Sequence, residues 1–272
     1  MAGIVTGWEA LDHTSRLPLL PFDARPAAPA CQRLDRLAAA PAATGAPASW
    51  RGSLRRSVMA GRVLAAARFG PPPPRESPPP DLVPTAESVA AYRTTMDYVR
   101  SCVLGAPRAW DTRLVLRVHS LVVAGTAASQ TFRLPAGDIT PRPSTLYVGA
   151  PAVEVPGLVE LLSRIMAGRF PHPAVAAAWV HVATVAIHPF DDGNGRLGRV
   201  LASLAMYQGG FEDPADVSLE EWWGEHNDEY HAMTSCIRPA FNRSSDVTSF
   251  VVAHVEAQLD HAEAARTARR RP

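Results

Sequence analysis

Ala174-Val-Ala-Ala-Ala-Trp-Val-His-Val-Ala-Thr-Val-Ala-Ile187 runs straight into His188-Pro-Phe-Asp-Asp-Gly-Asn-Gly-Arg-Leu-Gly-Arg199. The first half is apolar almost all round, the composition of a central buried helix rather than a surface one. Pro189 disfavours helical geometry at the residue before it, so the helix should stop at His188 and leave the imidazole facing whatever lies beyond. Gly193 and Gly195 permit positive φ and close approach of the backbone to a ligand. A second helix, expected over 195–208 and halted by Gly209-Gly210, would turn its first N–H groups into the same place. Successive N–H groups in such a turn form an anion-binding nest.

Arg196 and Arg199 are three residues apart and share a face in the first turn of that second helix. Cations there oppose the helix macrodipole by about 0.3–1 kcal/mol each. A bound polyanion would reverse the sign, and so would an internal carboxylate. Each residue of the turn also has an ordinary reading. His188 could be a helix-end histidine, Asp192 a surface turn residue, and Asn194 an N-cap, for which asparagine is among the best choices. Asp191 reads as a solvated loop residue. Together the turn supplies a base, a metal ligand and a phosphate cradle.

The stretch resembles the signature of the Fic (filamentation induced by cAMP) family, His-x-Phe-x-Asp/Glu-Gly-Asn-Gly/Lys-Arg-x-x-Arg. Every specified position is met, by His188, Phe190, Asp192, Gly193, Asn194, Gly195, Arg196 and Arg199. Similarity extends through roughly residues 84–258. Arg117-Val-His119 looks like the leucine-histidine helix of these domains, and Tyr147-Val-Gly-Ala-Pro151 with Val155-Pro-Gly-Leu-Val-Glu-Leu-Leu162 looks like their pre-motif segment. His181 stands where the family often has a second histidine, and reads as a core histidine rather than a catalyst. Asp246-Val-Thr-Ser-Phe-Val251 resembles a late helix. The implied fold is all-α, a mainly helical Fic/Fido-type bundle with a short β-hairpin flap.

The resemblance implies transfer of AMP from ATP to a Ser, Thr or Tyr hydroxyl of a target protein. In that reading His188 is the general base, a task suited by a pKa near neutrality. Asp192 holds Mg²⁺, which usually needs only one or two carboxylates beside phosphate oxygens. Gly193, Asn194 and Gly195 bind the phosphates. Arg196 and Arg199 neutralise charge developing towards the leaving pyrophosphate. Phe190 pins the loop. Gly195 in place of lysine fits AMP transfer rather than the kinase-like variant. The signature does not separate AMP from UMP, GMP, phosphate or phosphocholine, and a catalytically silent Fic-fold module binding nucleotide or a partner is a further alternative. A zinc site from His172, His181 and His188 is not expected, because no HExxH-like spacing or cysteine pair supports it.

Between residues 125 and 150 the helical periodicity disappears. Thr131-Phe-Arg-Leu134 and Thr145-Leu-Tyr-Val148 have the bias of short strands joined through Pro135-Ala-Gly137. The resemblance places the flap here, with a target segment pairing along its edge; an irregular surface loop is the alternative. Arg133 reads as solvated, with a contact to nucleotide or target as the second option.

The chain of 272 residues has a formal net charge of +1, so no overall field recruits nucleic acid or membrane. All its basic side chains are arginine. Cys31, Cys102 and Cys236 are few and widely spaced, which speaks for a reducing cytoplasm rather than a disulfide framework. The N-terminus lacks the features of a signal peptide, and the longest apolar run is too short to span a bilayer. Four segments emerge: an arm over 1–70, a Pro-rich linker over 71–83, the Fic-like domain over 84–262 and a basic tail over 263–272. Helices are expected near 32–39, and over 51–69, 85–102, 111–124, 155–168, 173–188, 195–208, 218–238 and 246–267. Ser218 with Glu221 makes a capping box for the helix over 218–238.

Many proteins of the resembled family carry an inhibitory helix, Ser/Thr-x-x-x-Glu-Gly/Asn, whose glutamate pairs with the second motif arginine. Arg56-Ser-Val-Met-Ala60-Gly61 looks like a degenerate version with Ala60 where the glutamate would fall; an unrelated packing helix over 51–69 is the alternative. Under the first reading Arg199 lacks that internal partner. The enzyme is then constitutively active, or restrained by a separate inhibitory partner or homo-oligomer contact, with self-modification open.

Overall fold

The computed structural model describes residues 14–15, 17–39, 86–104, 109–124, 131–134, 149–211 and 241–270, with Val217, Leu219, Trp222 and Met233. Its α-helices there are α1 Ala28–Ala39, α2 Ala86–Leu104, α3 Thr112–Val122, α4 Val155–Met166, α5 Pro173–Ile187, α6 Asn194–Gln208 and α7 Thr248–Arg270. The expected all-helical architecture is the one adopted. The helix expected over 51–69, the Pro-rich linker and the Ser218–Glu221 capping box lie outside the described residues, as does most of the helix expected over 218–238.

Helix starts follow from local chemistry. Asp111 caps α3 by accepting from the Leu114 N–H at 2.7 Å, and Asp246 accepts from the Thr248 N–H at 2.7 Å at the head of α7. His172 caps α5: its Nδ1 accepts from the Ala174 N–H at 3.0 Å, while Nε2 meets Asp35 Oδ1 of α1 at 3.0 Å. Pro173 then occupies the first turn, where its missing N–H costs nothing.

All of Ala174–Ile187 is buried, so α5 is the axis of the bundle. It packs against α4, α6 and α7, while α2 and α3 pack against each other and on α6. Gly198 brings α5 and α6 together: a Cβ there would stand 2.8 Å from His181 Cδ2 and 3.2 Å from His181 O. Trp179 is fully buried, and truncating such a side chain to alanine typically costs about 3–5 kcal/mol.

The segment before α1 belongs to the same core. Leu19 and Leu20 are buried; Leu20 has a φ of 47°, its N–H donates to Arg243 O at 2.6 Å, and its carbonyl accepts from Trp179 Nε1 at 3.0 Å. Two-residue strands, β1 Thr14–Ser15 and β2 Phe22–Asp23, pair antiparallel with Thr14 opposite Asp23. At the other end of the chain, Arg33 of α1 pairs with Glu263, and Arg266 donates to Leu37 O at 3.0 Å.

Thr131–Leu134 has no ladder partner among the described residues, and Thr145–Val148, the other half of the expected flap, lies outside them. The Arg133 N–H donates instead to Pro189 O at 3.1 Å.

Candidate active site

The site is the bend between α5 and α6. The helix ends where Pro189 requires it to: the His188 N–H still donates to Thr184 O at 3.0 Å, and His188 itself turns to φ 53°, ψ 60°. This left-handed cap is usually glycine, and for an L-residue it costs roughly 1–2 kcal/mol. The side chain placed there is half-buried. Function is a common reason for such strain to persist.

Phe190, directly after the bend, is fully buried. Its ring lies flat on the His119 imidazole with centroids 3.5 Å apart, and tilted against Phe132 at 5.4 Å. His119 Nε2 donates to Asp192 O at 2.9 Å. Asn194 turns its amide inward: Oδ1 accepts from the Phe190 N–H at 3.0 Å and Nδ2 donates to Phe190 O at 2.7 Å. Any phosphate contact at residue 194 therefore falls to its main-chain N–H, while its side chain clamps the loop.

Gly193 precedes α6 with a φ of 84°, and a Cβ there would meet Val123 Cγ1 at 2.8 Å. Glycine is required on both counts. At Gly195 a Cβ would come to 3.4 Å from Arg199 Nη1, so the missing side chain leaves the backbone beside that guanidinium. Arg199 is buried. Arg196 is half-buried, donating to Asp192 Oδ2 at 3.0 Å and to Val122 O at 3.2 Å. Asp191 and Asp192 are exposed. One or two carboxylates are enough for Mg²⁺, which keeps most of its coordination for water and phosphate oxygens; among the described residues no cluster of three or more His, Cys, Asp or Glu could hold a metal ion.

Behind this surface, the buried His181 ring meets Phe250 and His254 edge-on at 5.5 and 5.3 Å. Burial, with His254 and Arg199 nearby, holds the His181 imidazole well below its ordinary value, and burial lowers His254 to about 3. Both are neutral core rings. His172, His181 and His188 sit at the start, middle and end of α5, separated by roughly 13 and 10 Å along its axis.

Arg133 is not solvated. It is 3% exposed, its Nε donates to His188 O at 2.7 Å, and its Nη2 donates to Ala150 O and lies 3.5 Å from Ile187 O. A guanidinium at a helix C-terminus meets orphan carbonyls and the negative end of the dipole, which explains its burial. Beside it, a Cβ at Gly149 would stand 2.8 Å from His188 Cβ. The sequence singles out His119 only through the resemblance of Arg117-Val-His119 to a leucine-histidine helix; in the fold it lies on a buried face with Leu114, Val115, Val118 and Val122. No sequence signal marked Arg133 as a partner of the bend.

The bend thus gathers a histidine at the end of one helix, a glycine-flanked start of the next and two arginines on that second helix. Residues 109–206 match the model of the Fic/DOC family, and this part of the chain has a Fic-type fold. A Fido domain-containing protein of Dictyostelium discoideum is 42% identical over 74 residues, covering 27% of this chain and 48% of that one. The matched stretch thus spans about half the length of that relative. Among solved structures, a Fic family protein of Desulfovibrio desulfuricans has a TM-score of 0.63 at 17% identity, covering 91% of this chain and 76% of that one. A Fic domain-containing signaling protein of Bacteroides thetaiotaomicron gives 0.62 at 14%, with coverage of 89% and 96%. Fic-1 of C. elegans gives 0.60 at 16%, with coverage of 90% and 72%. At these identities the likeness is one of fold.

Proposed function

We propose that this chain transfers AMP from Mg-ATP to a hydroxyl side chain of a target protein. The observation that carries the reading is the bend itself. His188 is held in a strained left-handed cap directly across a glycine-flanked turn from a helix start whose first turn carries Arg196 and no acid, with Arg199 one turn on. A scaffold has no use for that arrangement.

In the reaction, the target hydroxyl oxygen bonds to the α-phosphorus of ATP, and the bond from that phosphorus to the bridging oxygen of the β-phosphate breaks. His188 takes the hydroxyl proton and pyrophosphate leaves. The Gly193–Gly195 backbone and the α6 N-terminus receive the phosphates. Arg196 and Arg199 offset the charge that builds on the leaving oxygens. Asp192 would hold Mg²⁺, which would supply positive charge to offset that of the phosphates.

The test uses the purified chain with Mg²⁺ and α-labelled ATP, GTP, UTP or CTP, in cell lysate and alone, beside His188→Ala. Label from ATP on protein, lost in His188→Ala, supports the proposal, and label on this chain itself would show self-modification. Label from another nucleotide would move the reading to that nucleotide. Label that persists without His188 would remove the base.

A further inference from the structure

Three consecutive carbonyls carry the bend, those of Ile187, His188 and Pro189, and Arg133 reaches all of them. Its main-chain N–H donates to Pro189 O at 3.1 Å. Its Nε donates to His188 O at 2.7 Å, and its Nη2 lies 3.5 Å from Ile187 O. The same Nη2 donates to Ala150 O, and the Ala150 N–H returns to Ile187 O at 3.2 Å. Two segments distant in sequence, 131–134 and 149–150, are thereby sewn to the end of α5. Gly149 completes the seat: a side chain there would stand 2.8 Å from His188 Cβ and 3.4 Å from Arg133 Nη2.

The geometry points to Arg133 as a positioning residue for the base, with Gly149 as the space that lets it work. A left-handed conformation at an L-residue persists only where the surroundings fix it, and here the fixing groups are a buried fork of N–H donors, Nε on the strained residue's own carbonyl and Nη2 on those of Ala150 and Ile187 beside it. A planar guanidinium suits the task because it presents several donors in a rigid arrangement, whereas an ammonium is a single point. Arg133 does not touch the reacting atoms; it acts through His188. The inference rests on the proposed base role of His188, and it also has a consequence that does not depend on transfer.

The experiment compares wild type with Arg133→Met, Arg133→Lys and Gly149→Ala. Four quantities are read: thermal unfolding, the Kd for ATP with Mg²⁺, the kcat of labelled transfer, and the ¹³Cα and ¹³Cβ shifts of His188, which report its backbone region. Misplacing a reacting group by about 1 Å costs on the order of 10²-fold. Arg133→Met and Gly149→Ala should therefore lower kcat about 10- to 100-fold while leaving the Kd within about twofold. The His188 shifts should leave the left-handed range, and Arg133→Lys should fall between. Wild-type kcat with unchanged His188 shifts in both variants would overturn the inference. So would a parallel loss of kcat, nucleotide affinity and folding that Arg133→Lys does not mend. Should Arg133→Met fail to fold, Gly149→Ala carries the same comparison. If the wild type transfers nothing, the AMP-transfer reading fails by itself, and the His188 shifts still decide the role of Arg133.

Discussion

The amide of Asn194 closes two hydrogen bonds onto the main chain of Phe190, one accepted at 3.0 Å and one donated at 2.7 Å. The turn from His188 to Gly193 is thus tied from inside by a residue at the start of the helix it precedes. Burial of both partners makes the tie costly to cut, since a stranded buried donor or acceptor loses roughly 1–3 kcal/mol. Asn194→Ala strands two such groups on Phe190. We expect a loss of about 2–4 kcal/mol in urea unfolding. A loss under about 1 kcal/mol would mean that water or another group replaces the amide.

Glycine relieves the strain that His188 carries. His188→Gly and His188→Ala both remove the imidazole, but only alanine keeps the Cβ that the left-handed region disfavours. His188→Gly should be about 1 kcal/mol more stable than His188→Ala, with both inactive in transfer. Equal midpoints in chemical denaturation would show that the cap relaxes once the side chain is gone.

Asp192 separates chemistry from stability. Its carboxylate is 63% exposed and pairs with Arg196 four residues on, an arrangement worth about 0.3–0.5 kcal/mol. Asp192→Asn should leave the unfolding free energy within about 0.5 kcal/mol while sharply raising the Mg²⁺ concentration needed for transfer. An unchanged Mg²⁺ dependence would remove Asp192 as the metal ligand.

Acid should destabilise the fold through its buried histidines. Burial lowers His119, His181 and His254, the last to about 3. Below the ordinary imidazole value of about 6.5 the unfolded chain binds protons that the folded chain refuses, so the stability these groups contribute is full above that value. It is lost as pH falls towards their folded values. Unfolding free energies measured from pH 7 to 4.5 should decline, and His254→Leu should show a shallower slope. An identical slope in that variant would count against His254 as a source of the decline.

Much of this was legible in the chain because the signals are local. The period and apolarity of 174–187, Pro189 after His188, and Gly193 before α6 each act on the backbone within a few residues, so the helix–bend–helix could be read directly. The observed helices 155–166, 173–187 and 194–208 follow those cues closely. The strand expected at Thr131–Leu134 drew on residue bias and on the family resemblance; in the described half of that segment the Arg133 N–H donates to Pro189 O, a bond with no counterpart in the local sequence.

From the order of residues alone came the class of domain, the place where its two central helices meet, and the residues gathered at the bend. Only tertiary structure turned Asn194 inward, laid His119 on Phe190, seated Leu19 and Leu20 in the core and buried Arg133 against three carbonyls. Main-chain carbonyls are the same at every position and leave no mark in a sequence. A side chain whose partners are carbonyls from a distant segment is therefore indistinguishable from a surface arginine until the chain has folded around it.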